Sequence, residues 1–188
     1  MPFLPTLLVR GVAEGDSSHA EAVARHLDML SVGLHAHHEG EDSRLWGALV
    51  QRAPVCATHV ARMQAQHAAM LVHLDRLDAA LPAWRRSGRG ADAAPLLVAL
   101  DGVNAALDVH LPDEEENIVP VMERTITPEE IHWFSEHGRR ATPKGRTWAQ
   151  LGAILAAQPD RRRVHLGRPP ARRDLVTRLP PEFSRRGA

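Results

Sequence analysis

Two of the histidines that a glutamate follows four positions later lie on apolar helical stripes: His37, followed by Glu41, and His110, followed by Glu114. In a helix, residues four apart lie on one side, about 6 Å apart along the axis. The imidazole and carboxylate of each pair can therefore approach one cation, or neighbouring members of a pair of cations. His67, between the two pairs in sequence, lies on an apolar stripe of its own and adds a third imidazole. Imidazole and carboxylate without thiolate suit iron, manganese or zinc.

The two pairs occupy equivalent places in an internal repeat. Residues 23–49 align with 96–122: Val23 with Leu96, Leu27 with Leu100, Leu30 with Val103, Leu34 with Leu107, Leu45 with Ile118, Ala48 with Val121 and Leu49 with Met122. Two helices thus carry the same inward apolar stripe, each interrupted at the same point by His-x-x-x-Glu. A carboxylate buried in such a stripe without a partner costs several kcal/mol or more. Two of them at matching positions call for a shared compensating charge. In HAHHEGED the alternative pair His38 and Asp42 brings Ala24, Asp28, Ser31, His35 and Trp46 onto its face, a poorer stripe. This reading therefore turns His37 and Glu41 inward and leaves His38 and Asp42 beside them, as supports or on the surface. Loss of His38 is then expected to matter less than loss of His37.

The elements that must carry these residues are helical. Leu, Ala and Val dominate the apolar residues, with three Phe, four Trp and no Tyr, which favours an all-α fold. One helix starts near Asp16–Ser18 and runs to about Gln51, before Pro54. A second starts after Pro54 with Val60, Met63, His67, Met70, Leu74, Leu77 and Leu81 on one face, and is expected to end at Pro82 and the following RRSGRG. A third runs from Asp92 or Pro95 to about Arg124, bent or broken near Pro112. Thr127 and Pro128 open a further short helix as cap and first helical residue. The apolar residues 3–12 resemble the end of another helix. The expectation is an antiparallel up-down bundle over 1–125, with its first helix truncated. Short helices would follow over 126–157, including an amphipathic piece at Thr147–Ala157, and then an irregular Arg/Pro-rich tail over 158–188.

Composition narrows the function classes. Formal net charge is zero, so no global field for nucleic acid or membrane is expected, although the tail holds nine arginines against three acids. The single cysteine, Cys56, excludes an intrachain disulfide and a cysteine-rich zinc site. No uninterrupted 18-residue apolar run is present, and the first residues lack the basic start of a secretory signal. The expected location is the cytoplasm.

The segments LHAHHEGEDSRLW, MQAQHAAM and HLPDEEENIVPVM, in this order, resemble the hemerythrin-like, HHE cation-binding domain; TPEEIHWF is similar to the segment just after that domain in bacterial members. The resemblance covers about residues 3–125. It implies a four-helix bundle with a non-haem di-iron centre, bridged by Glu41 and Glu114, with terminal imidazoles from His37, His67 and His110. It also implies O₂ or a related small molecule as ligand, in a binding, sensing or redox role. Iron-dependent reduction of peroxide or nitric oxide is the alternative, and a zinc-bound or metal-free interaction module a third. The sequence does not separate carriage from turnover and singles out no catalytic residue. Two features depart from the family. Members usually place one more histidine ahead of what is here FLPTLLVR, and Leu71 stands four residues after His67 where hemerythrins carry a second histidine. A truncated first helix would leave an apolar groove that invites a second copy to form a homodimer.

Overall fold

The computed structural model describes residues 4–142, all within the first of the two compact units into which the chain divides, Met1–Leu151. The helix expected over Thr147–Ala157 and the tail over 158–188 lie outside the described residues. Seven α-helices follow one another among those described: α1 (Leu4–Arg10), α2 (Ser17–Gly40), α3 (Trp46–Arg52), α4 (Ala57–Ser87), α5 (Gly90–Asn117), α6 (Val119–Thr125) and α7 (Pro128–Ala141). No β-strand occurs among these residues.

The helix ends follow from local chemistry. Asp16 caps α2, its carboxylate accepting from the His19 amide at 2.9 Å. The α4 helix runs through Pro82 rather than ending there, because Leu81 and Trp84 are buried and hold the last turns on the core. It stops at Gly88, which has a left-handed backbone (φ 61°). A side chain there would also meet the Asp16 backbone at 2.7 Å, so glycine is required twice over. Gly15 N–H donates to the Gly88 carbonyl at 3.0 Å, knitting the α1–α2 and α4–α5 connections together at one end of the bundle. The α5 helix likewise passes Pro112. The break falls at Ile118, two residues before Pro120. Proline has no N–H to give the preceding turn, and its ring disfavours continuing that turn. Thr127 and Glu130 then form a reciprocal capping box at the start of α7, with Pro128 at its first position.

Helices α2, α4 and α5 pack side by side in that order, α1 lies against α2 and α5, and α7 lies along α2. The interior is layered. At the Gly15–Gly88 end, Leu27, Leu77, Leu81, Trp84, Leu96 and Leu100 form one apolar cluster, with Val9 of α1 closing it. Met70, Leu74 and Val103 continue it. At the other end Leu45, Trp46, Leu49, Val60, Met63 and Ile118 form a separate cluster. Between these two ends each long helix, with the turn that continues α2, contributes polar residues: His38 and Glu41, then His67, then His110 and Glu114, all buried. The α5 helix is long and apolar enough to cross a membrane by length and composition alone. In this fold its inward face carries part of the bundle core and two of those polar residues.

Candidate metal centre

The polar layer begins on α2. Successive residues of a helix are about 100° apart around its axis, and residues four apart about 40°. Glu41 therefore projects between His37 and His38, and a face centred on Glu41 takes one histidine on each flank. The two registers do not exclude each other. His38, expected beside the site or on the surface, is among the most buried side chains (2 % exposed), whereas His37 is partly open, with 43 % of its side chain exposed. One wide turn at Glu41–Leu45 then winds with five rather than four residues between hydrogen-bonded groups. It re-aims the following stripe so that Leu45, Trp46 and Leu49 are all buried.

Two sets of donors result. His38, His67 and His110 bring one ring nitrogen each within 4.8 Å of one another, and His37, Glu41 and Glu114 do the same with one nitrogen and two carboxylate oxygens. The His38 and His67 rings are 4.2 Å apart between centroids, and those of His67 and His110 4.8 Å. Glu41 joins the sets: Oε1 lies 3.3 Å from His37 Nε2, and Oε2 lies 3.6 Å from His67 Nε2. Glu114 Oε2 is 3.6 Å from His110 Nε2. All five residues singled out from the sequence thus meet in one layer. His38 joins them as a sixth, where spacing alone puts it to one side.

Four buried atoms there have no hydrogen-bond partner: His38 Nδ1, His67 Nε2, His110 Nε2 and Glu41 Oε2. Leaving such groups unpaired costs about 1–3 kcal/mol each, so their convergence fits a cation that the lone pairs would coordinate. The protonation states agree. Burial, and then the neighbouring Glu114 carboxyl, push Glu41 up to about 10. Burial, reinforced by His67, His37 and His110, brings His38 down to about 2. Burial likewise lowers His37 and His110, against the pull of Glu114. Without a cation His37, His38 and His110 are thus held neutral, with lone pairs free for a metal, whereas Glu41 is held protonated and would release its proton on ligation.

The imidazoles are held from behind. Asp42 Oδ1 lies 3.0 Å from His67 Nδ1, and Gln66 Oε1 lies 3.0 Å from His110 Nδ1. Asp42 is the support that the sequence suggests; Gln66 carries no signal in sequence beyond its place beside His67. Trp46 stacks over His67, and Phe134 of α7 meets the His37 ring edge-on at 5.3 Å. Gly40 makes that close approach of α7 possible, since a Cβ there would lie 2.8 Å from the Phe134 ring. A cleft of about 490 Å³, lined by His35, His38, Glu39, Asp42, Ser43 and Leu71, reaches the buried His38 from outside.

A buried layer of histidines and two facing glutamates in a helical bundle defines a class of metal-binding helical proteins. The family of the hemerythrin HHE cation-binding domain matches residues 4–124, and the chain belongs to it. No curated protein and no solved structure matches the chain.

Proposed function

We propose that this chain holds non-haem iron, as a di-iron centre, in its polar layer and uses it to bind O₂ or a related small molecule, in a binding or sensing role. The observation that carries the reading is the pair of donor sets joined by Glu41, with its two oxygens turned to different imidazoles. His38, His67 and His110 would hold one cation, and His37 the other, with Glu41 and Glu114 shared between them. This set of nitrogen and oxygen donors without sulfur suits iron and leaves room for an added ligand. Iron would supply the redox chemistry that reversible binding of O₂ needs.

The protein's own contribution is then positional. The six donors are fixed on three long helices and the turn that continues α2, and Asp42 and Gln66 hold two of the rings in place. Leu34, Leu107, Leu74 and Met70 form the apolar wall beside the layer, which keeps water away from a bound small molecule. The cleft that reaches His38 gives a path from solvent.

That cleft also favours a second reading, reduction of peroxide or nitric oxide at the same centre. Its lining contains His35, Glu39 and Asp42, groups able to relay protons from solvent, as reduction requires.

Metal analysis of aerobically purified protein, with its absorption spectrum from the near-ultraviolet into the visible, tests the iron reading. Two iron atoms per chain with charge-transfer absorption are expected. Zinc, or full stability and no metal after purification, would overturn it. Sustained consumption of peroxide or nitric oxide with a reductant would select the second reading over reversible binding.

A further inference from the structure

We propose that Gln66 is a positioning residue that holds His110 in the form protonated at Nδ1, leaving Nε2 free toward the centre, and that Asp113 with Arg62 sets the orientation of Gln66. The inference rests on the polar layer being the metal site, but concerns residues outside the donor set.

A glutamine amide has one accepting and one donating end, and either could face a given neighbour. Here the neighbour on the far side decides. Asp113 is paired with Arg62, whose Nε donates to Oδ2 at 2.6 Å and whose Nη2 donates to Oδ1. Asn117 Nδ2 also donates to Asp113 Oδ1, at 2.8 Å. A carboxylate held in this way can only accept. Gln66 must therefore turn its Nε2 to Asp113 Oδ2, 2.9 Å away, and its Oε1 to His110. Oε1 can only accept, so His110 Nδ1 must carry the proton. A neutral imidazole has one ring proton, so His110 Nε2 keeps its lone pair. That nitrogen is the buried, unpartnered atom facing Glu114.

Helical spacing makes the relay: Arg62 and Gln66 are four apart on α4, and His110, Asp113 and Asn117 follow at three and four on α5. His67 obtains the same orientation directly from the Asp42 carboxylate. The two imidazoles are thus backed by chemically different groups, a charge for His67 and a neutral amide for His110. A carboxylate behind a ligating ring makes it the stronger donor.

The test reads the ring nitrogens of metal-free protein labelled with ¹⁵N-histidine, by two-bond proton–nitrogen correlation near neutral pH. His110 is expected in the Nδ1–H form. Gln66→Leu should convert it wholly or partly to the Nε2–H form, and Asp113→Asn, which lets the Gln66 amide turn over, should give a mixture. Gln64→Leu, on the exposed side of α4, should change nothing. Co²⁺ affinity, read by competition with a chelator, should fall about ten- to a hundredfold in Gln66→Leu and stay put in Gln64→Leu. An Nε2–H ring in the unsubstituted protein, or an unchanged His110 spectrum in Gln66→Leu, would overturn the assignment. Because the ring measurement is made without metal, its outcome is independent of whether iron is the cation bound.

Discussion

The same three helices build two interiors with opposite needs. Toward the Gly15–Gly88 end they bury Leu27, Leu81 and Leu96, none more than 2 % exposed; a few turns further on, His38, His67, His110 and two glutamates are buried as well. Aliphatic side chains gain from burial alone. The polar layer loses hydration on burial and recovers it only by pairing. The apolar layers therefore fold the bundle, and the polar layer is carried by them until a cation completes it. This contrast can be broken by comparing denaturation with and without metal. Leu96→Ala should cost about 2–5 kcal/mol in either condition. Added Co²⁺ or Fe²⁺ at about a hundred times its dissociation constant should stabilise the unsubstituted protein by about 2.7 kcal/mol. In His110→Ala that gain should vanish, while the metal-free protein loses only the cost of the cavity and of the Gln66 hydrogen bond. A metal-induced gain that survives His110→Ala would detach the polar layer from cation binding.

The layer is itself uneven, and its two flanks sharpen the comparison. His38 is buried against His67 and His110, at the floor of the cleft, while His37 is partly open and covered on one side by Phe134. A buried donor with no alternative partner should contribute more than one that water can replace. His38→Ala is expected to weaken Co²⁺ binding by about a hundredfold and His37→Ala by about tenfold, on the scale of changes around metal ligands. The reverse order in a chelator competition would restore the reading in which His37 alone faces inward. Glu41→Gln separates the layer's two conditions: metal-free, Glu41 is already driven to its protonated form. The amide should therefore leave metal-free stability within about 1 kcal/mol, while most of the metal-dependent gain is lost. Calorimetry on the two forms, with and without metal, checks both halves.

The bundle was legible because a 3.6-residue period of Leu, Val and Ala is a repeated signal, carried by many residues at once. The layer was legible because His-x-x-x-Glu interrupts that signal twice at matching places. His38 is not legible from the stripe, which marks a line, because a helix packed against both α4 and α7 buries an arc wide enough for two adjacent residues. The run of α4 through Pro82, and the break at Ile118 rather than near Pro112, are not legible for a related reason. Local sequence shows the missing N–H, whereas Leu81, Trp84, His110 and Glu114, whose burial holds those turns, act through residues far away in the chain. Gln66 could not be found at all from spacing. Its role depends on Asp113, 47 positions on, and on which end of an amide faces it.

The smallest expected effect concerns a third carboxylate, which sets off the buried pair. Glu130 opens α7, and its oxygens accept from Arg52 at 2.6 and 2.9 Å and from the Thr127 amide at 2.9 Å. Arg52 also donates to the Thr125 carbonyl, so this clasp ties α3 to the start of α7. The Arg52 hydrogen bonds, with help from the Thr127 backbone, draw Glu130 down to about 2, whereas burial drives Glu41 the other way, to about 10. A folded-state value below the unfolded one of about 4.3 means that the clasp stabilises the protein above that pH. Its contribution fades as the pH falls toward 2. The pair lies at the surface, with Arg52 open to solvent, so the amount is small. Chemical denaturation of metal-free protein between about pH 5 and 2 should show a shallower acid decline in Glu130→Gln than in the unsubstituted chain, with the two curves converging at the acid end. Parallel curves across that range would show that Glu130 titrates alike in the folded and unfolded chain. The docking of α7 beside His37 would then rest on Phe134 and the space left by Gly40 rather than on this ion pair.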